Sequence, residues 1–164
     1  MENNQSIFET ICRLREEEPG LPYRFQDERT AGQKDVLYVL ASEGIPFWRK
    51  EDLAKECCGI LKDLVNKEDT ILTDPVLRHF LEHYPICSYF IELRERVRIT
   101  LEAETSSRER LFHLGMRLAR SGTDPEQVKL GIILLGFFPY DTTKQIMRVL
   151  GYHSEYTLYV LESI

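Results

Sequence analysis

The stretch from Asp124 to Pro139 constrains the fold more than any other part of the sequence, because it has no polar face. Asp124-Pro125 reads as an N-cap followed by proline at the first helical position. Val128, Leu130, Ile132, Ile133, Leu134, Leu135, Phe137 and Phe138 follow, until Pro139 stops the helix. A helix that is apolar all round has to be surrounded by other elements. Its most hydrophobic run, Gly131 to Tyr140, is about half the length needed to cross a bilayer, so it reads as a buried helix. The rest of the chain must supply its cover.

That cover reads as more helices. Ser6 can cap a first one carrying Ile7, Phe8, Ile11 and Leu14, which stops at the turn dipeptide Pro19-Gly20. Residues 19–32, with two prolines, two glycines and many charges, read as a loop. A second helix is expected over about Gln33 to Ser42. A third, about Lys50 to Asn66, carries Leu53, Cys57, Ile60, Leu61 and Leu64. Asp74-Pro75 opens a short helix through His83, closed by Pro85. Ser88 begins one with Phe90, Leu93, Val97 and Leu101 on a single face. Ser106-Ser107-Arg108-Glu109 matches the S-x-x-E capping box and opens a helix with Leu111, Leu114 and Leu118, ending at Ser121-Gly122. After Pro139 come Thr142 to Leu150 and Ser154 to Ile164. No stretch alternates like a strand, so the expectation is an all-α domain of about eight or nine antiparallel helices. Short loops in the second half predict that successive helices are neighbours. Gly115, Gly131 and Gly136 lie inside helices at roughly 1 kcal/mol each relative to alanine, and can allow close helix approach.

The totals fit one globular domain: 164 residues, 43% hydrophobic and 29% charged. We expect a single unit over 1–164, looser over 1–87 and tighter over 88–164. Met1-Glu2-Asn3-Asn4 lacks the positive and apolar regions of a signal peptide. Cys12, Cys57, Cys58 and Cys87 form no framework, and a cytoplasmic, reduced protein is expected. Residues 1–87 carry 11 basic and 17 acidic side chains, whereas residues 88–164 carry 10 of each. This balance disfavours bulk nucleic-acid binding.

Asp124-Pro125-Glu126-Gln127-Val128-Lys129, then Leu134-Leu135-Gly136, then Ile146 and Val149-Leu150, resembles the short HEAT-like repeat. A shift of 28 residues lays Val128, Leu130, Ile132 and Ile133 on Tyr156, Leu158, Val160 and Leu161. The resemblance covers residues 124–164, a quarter of the chain. It implies a short α-solenoid, and a scaffold that binds a partner along one helical face without chemistry of its own.

Four features compete for function. His79-Phe80-Leu81-Glu82-His83 is a literal H-x-x-E-H, the pattern in which inverted zinc peptidases bind zinc, with Glu155 or Glu162 as the distant third ligand. It supports an alternative reading as a zinc-dependent hydrolase or metal protein. Residues 34–73 resemble a loosely drawn helix-turn-helix, but Lys62 and Lys67 beside Asp63 make a weakly basic reader. Arg94, Arg96, Arg98, Arg108, Arg110, Arg117 and Arg120 fall within 27 residues without a lysine. They serve either ion pairing with Glu95, Glu102, Glu104 and Glu109 or recognition of an acidic partner. Tyr152, Tyr156 and Tyr159 share a face of the last helix, which is either wedged inside the chain or covered by a second copy or another protein.

The sequence reading is therefore a non-enzymatic protein–protein interaction domain, an adaptor, regulator or inhibitor. Arg94, Arg98, Arg117, Arg120, Tyr152, Tyr156 and Tyr159 are its expected partner-binding residues, with no cofactor. A homodimer through the C-terminal helix is one possible assembly, and neither a membrane nor nucleic acid is an expected partner.

Overall fold

The computed structural model describes residues 5–17, 35 and 45–164. Among these residues it is all-α, with eight helices and no strand. They are α1 (Ile7–Glu17), α2 (Phe47–Leu64), α3 (Pro75–His83), α4 (Phe90–Ala103), α5 (Arg108–Ser121), α6 (Pro125–Leu135), α7 (Asp141–Leu150) and α8 (Ser154–Ser163). The loop expected over 19–32 lies outside the described residues. So does the helix expected over 33–42, except for Asp35, which is helical.

Local chemistry sets most of the boundaries. Asp124 Oδ1 accepts from the backbone N–H groups of Glu126 and Gln127, and Asp74 Oδ1 from those of Val76 and Leu77. Each aspartate satisfies donors that the first turn leaves orphaned. At α1 a reciprocal box forms, because Ser6 Oγ accepts from Glu9 N–H while the Glu9 carboxylate accepts from Ser6 N–H. The box expected at Ser106–Glu109 does not form. A 3₁₀ turn, Thr105–Ser107, runs into α5 with Ser107 already in a helical conformation, and the Ser107 hydroxyl donates to Glu104 instead. Ser6→Ala should therefore lose about 1 kcal/mol in urea unfolding, whereas Ser106→Ala should stay within about 0.5 kcal/mol of the parent. Equal losses would mean that the two serines are not distinguished in this way.

The apolar helix α6 is central, as its composition requires: every residue from Gln127 to Leu135 is buried. Its closest partner is α5, and α8, α3 and α4 also lie against it. A Cβ on Gly131 would fall 2.6 Å from the Ala119 nitrogen and 3.0 Å from the Gly115 oxygen. Backbone meets backbone there, so only glycine fits. One at Gly136 would fall 2.7 Å from Ser163 Cβ, which sets the end of α8 on the end of α6.

Neighbours in sequence are not always neighbours in space. The pairs α5–α6 and α7–α8 pack together, but α4 rests mainly on α2, and α7 on α1, α5 and α8. Between α6 and α7 the connection is itself core material. Phe138 is buried there, its ring 5.5 Å from that of Phe112. The N-terminal helix α1 belongs with the second half of the chain, resting on α5 and α7. Its Ile7 N–H donates to the Gly122 carbonyl at 3.0 Å, fixing the start of α1 to the end of α5.

Candidate functional site

The structure separates five of the seven arginines of this cluster into two groups. The other two, Arg96 and Arg108, have no carboxylate of the described residues within 4.0 Å, and the Arg108 guanidinium lies 5.7 Å from the centre of the Phe138 ring. Arg98 lies between two carboxylates of its own helix, donating to Glu95 and Glu102. Hydrogen bonding from Arg98 holds the Glu95 carboxyl below its ordinary range, and the two glutamates raise Arg98 in turn. Arg94 reaches Glu162 of α8 at 3.7 Å, with its guanidinium 5.8 Å from the Phe90 ring centre. Arg110 donates to the Asn66 side-chain oxygen. These three act within the chain.

Arg117 and Arg120 differ. They are exposed, and they lie three residues apart on one face of α5. Neither has a carboxylate of the described residues within 4.0 Å, whereas Arg94 and Arg98 do. Together they line a cleft of about 290 Å³ between α1 and α5, which also contains Phe8, Met116, His113 and two carboxylates, Glu9 and Glu68. The guanidinium of Arg120 sits 5.9 Å from the centre of the Phe8 ring. A cation held by a π face is positioned without using its N–H donors. A slightly larger cleft, about 330 Å³, lies around Arg78, Glu82, Asp124 and Gln127, where one cation faces two carboxylates.

The tyrosine face is not an open surface. Tyr156 and Tyr159 are fully buried by this chain, because α8 is pressed onto α6 and α7. Tyr159 packs edge-on against Phe90 with ring centres 5.3 Å apart. Tyr152 alone reaches solvent, and the Arg15 guanidinium lies 4.2 Å from its ring centre. The expectation of partner contact at Tyr156 and Tyr159 is thereby corrected: an apolar α6 needs cover on the side where α8 lies. A dimer through the last helix would have to use its outer side, where Leu161 and Ile164 are exposed.

His79 and His83 are exposed on α3 with ring centres 4.1 Å apart, and His83 Nδ1 lies 2.8 Å from the His79 carbonyl oxygen. Neither proposed third ligand joins them, since Glu155 pairs with Lys129 and Glu162 with Arg94. Among the described residues no three His, Cys, Asp or Glu side chains are grouped to hold a metal ion. The helix-turn-helix outline also fails locally, because α2 runs unbroken from Phe47 to Leu64 through Gly59. No turn separates a second helix over residues 59–66.

One cluster was not expected from the sequence. Lys129 points into the core with its side chain 3% exposed. Its ammonium meets Asp35 at 2.8 Å, Glu126 at 2.7 Å and Glu155. Three donors find three carboxylates, drawn from the segment around residue 35, from α6 and from the start of α8. Tyr159 adds a hydroxyl donated to Asp35 at 2.6 Å, and Glu126 also accepts from Ile86 N–H at 2.7 Å. Burial acts to lower the lysine pKa, but Glu126 and Asp35 outweigh it and leave the group raised. Burial raises the Glu126 carboxyl, and Lys129 only partly offsets this. Nearby, His153 Nδ1 accepts from Glu155 N–H at 3.2 Å as the cap of α8, and burial holds this histidine below its ordinary pKa. The signal for the cluster was present: a lysine in a helix without a polar face, three residues after a glutamate, must be paired inside the core.

No family model, curated protein or solved structure matches this chain.

Proposed function

We propose that this protein is a non-enzymatic interaction domain, an adaptor, regulator or inhibitor, that binds an acidic protein partner through the face formed by α1 and α5. The observation that carries the reading is the contrast among the arginines. Arg94 and Arg98 are engaged by glutamates of the chain, while Arg117 and Arg120 face solvent with their donors available. Guanidinium forks match carboxylates in pairs of parallel hydrogen bonds, and they are enriched where proteins meet. The glycine-mediated α5–α6 contact supports a firm platform beneath that face. The HEAT-like pattern over 124–164 is in keeping with a scaffold. The proposed compartment is the cytoplasm, to which four cysteines without a disulfide are suited.

Affinity capture from the source cell tests this directly. The parent protein and Arg98→Ala should retain the same partner, and an Arg117→Glu/Arg120→Glu variant should lose it while keeping the parental melting temperature. A partner held equally well by all three would overturn the assignment of the α1–α5 face.

A further inference from the structure

Two of the chain's four histidines, His79 and His83, stand one helical turn apart at the end of α3, and both are exposed. We infer that they chelate a single divalent ion of the zinc, nickel and copper class at the protein surface. The site is independent of the α1–α5 face.

Spacing is the first argument. The two ring centres lie 4.1 Å apart. Nitrogens bound to one tetrahedral zinc ion at about 2.0–2.1 Å are roughly 3.3 Å from each other. Rings at this separation can share an ion without any change in the helix. The tautomer is the second argument. His83 Nδ1 lies 2.8 Å from the His79 carbonyl oxygen. A carbonyl only accepts, so in the neutral ring the hydrogen is on Nδ1 and Nε2 keeps its lone pair. Histidine ligands are commonly oriented in this way, by donating from the other ring nitrogen to a backbone carbonyl.

Charge supports a cation at this place. Helix α3 ends at His83, so the ion sits at the negative end of the helix dipole. Arg78 belongs to the neighbouring stripe of α3 and lines the cleft that also holds Glu82 and Asp124, where two carboxylates offset it. Imidazole then selects the ion. It suits zinc, nickel and copper, whereas magnesium and calcium take oxygen ligands. Two protein ligands leave the other positions to solvent, so the ion is exchangeable, unlike that of a four-ligand structural site or a three-ligand catalytic one. The other histidines are arranged differently. His153 is buried as the cap of α8, with Nδ1 accepting from Glu155 N–H, and His113 stands one turn from Glu109.

The test is calorimetric titration of the full chain with zinc chloride, without a histidine tag and with the cysteines kept reduced by a phosphine. Zinc should bind as a single ion per chain, and excess magnesium should not displace it. Removing an outer partner of a metal-bound histidine costs about 10–100-fold in affinity. Loss of a ligand itself, in His79→Ala or His83→Ala, should therefore cost at least about tenfold. Both side chains are exposed, so both variants should keep the parental melting temperature in the absence of zinc. His113→Ala should bind as the parent does. A second measurement needs no variant. Substoichiometric Cu²⁺, which binds nitrogen sites more tightly than zinc does, should broaden the ring NMR signals of His79 and His83 before those of His113 and His153. The inference is overturned by absence of zinc binding, by zinc binding unchanged in both alanine variants, or by copper broadening that starts at His113 or His153.

Discussion

Lys129→Ala is expected to destabilise the domain by about 3–5 kcal/mol, the loss typical of removing one partner from a buried ion cluster. The wild-type lysine donates to Asp35, Glu126 and Glu155, and its side chain is 3% exposed. Without it three carboxylates are left facing one another in a site that water reaches poorly. Carboxylates in that position bind protons more readily than they do in the unfolded chain. Folded protein then binds more protons than unfolded protein between the ordinary carboxyl pKa and the raised one, so the variant's stability should rise as pH is lowered from 7 towards 5. Urea unfolding at the two pH values measures both effects. Lys129→Met combined with Glu126→Gln and Glu155→Gln should recover part of the loss, because it removes two of the three unpaired carboxylates and leaves only Asp35, to which the Tyr159 hydroxyl still donates. A Lys129→Ala protein within about 1 kcal/mol of the parent would show that the cluster contributes little.

Gly131→Ala sets two effects against each other. Alanine favours a helix interior by about 1 kcal/mol. Here the added methyl would lie 2.6 Å from the Ala119 nitrogen and 3.0 Å from Ala119 Cα, both backbone atoms of α5. Neither atom can turn aside as a side chain can, so α5 and α6 must separate. That opens the packing around Leu114, Leu118 and Val128, all of which are fully buried. Overpacking of this kind costs about 1–3 kcal/mol or more and should outweigh the propensity gain. We expect a net loss of about 1–2 kcal/mol in urea unfolding. Gly59→Ala is the matched control, since nothing stands within 4 Å of its added carbon on the exposed face of α2. It should gain about 0.5–1 kcal/mol. Like signs for the two substitutions would contradict the close α5–α6 contact.

Much of the fold was legible because it follows from local rules. The Asp-Pro starts at residues 74 and 124, the proline after α3 and the apolar stripes of α2, α4 and α5 are all short-range signals. By contrast, α6 ends at Leu135, four residues before the Pro139 expected to stop it, and leaves Phe137 and Phe138 in the connection. The burial of α6 followed from its lack of a polar face. What sequence could not give was the choice of neighbours. Loop length suggested that α6 and α7 would pair, yet α6 is covered by α5 and α8, and Phe138 occupies the turn between α6 and α7. That same choice buried Tyr156 and Tyr159, whose spacing alone fits an interface as well as a core. It also brought Asp35 to Lys129, 94 residues away in sequence. Arginine spacing showed a cluster but not its division. Glu95 and Glu102 are one turn from Arg98 and could be assigned to it, whereas the pairing of Arg94 with Glu162 depends on how α8 lies across α4.

The division of the arginines is the claim on which the functional account stands, and it can be read residue by residue. In protein carrying ¹⁵N-labelled arginine, each Nε–Hε group gives its own NMR signal, assignable by single substitutions. Titration with an acidic peptide of alternating glutamate and leucine should move the signals of Arg117 and Arg120 and leave those of Arg94 and Arg98 in place. Shifts concentrated at Arg94 and Arg98, or spread evenly over all seven arginines, would contradict the account.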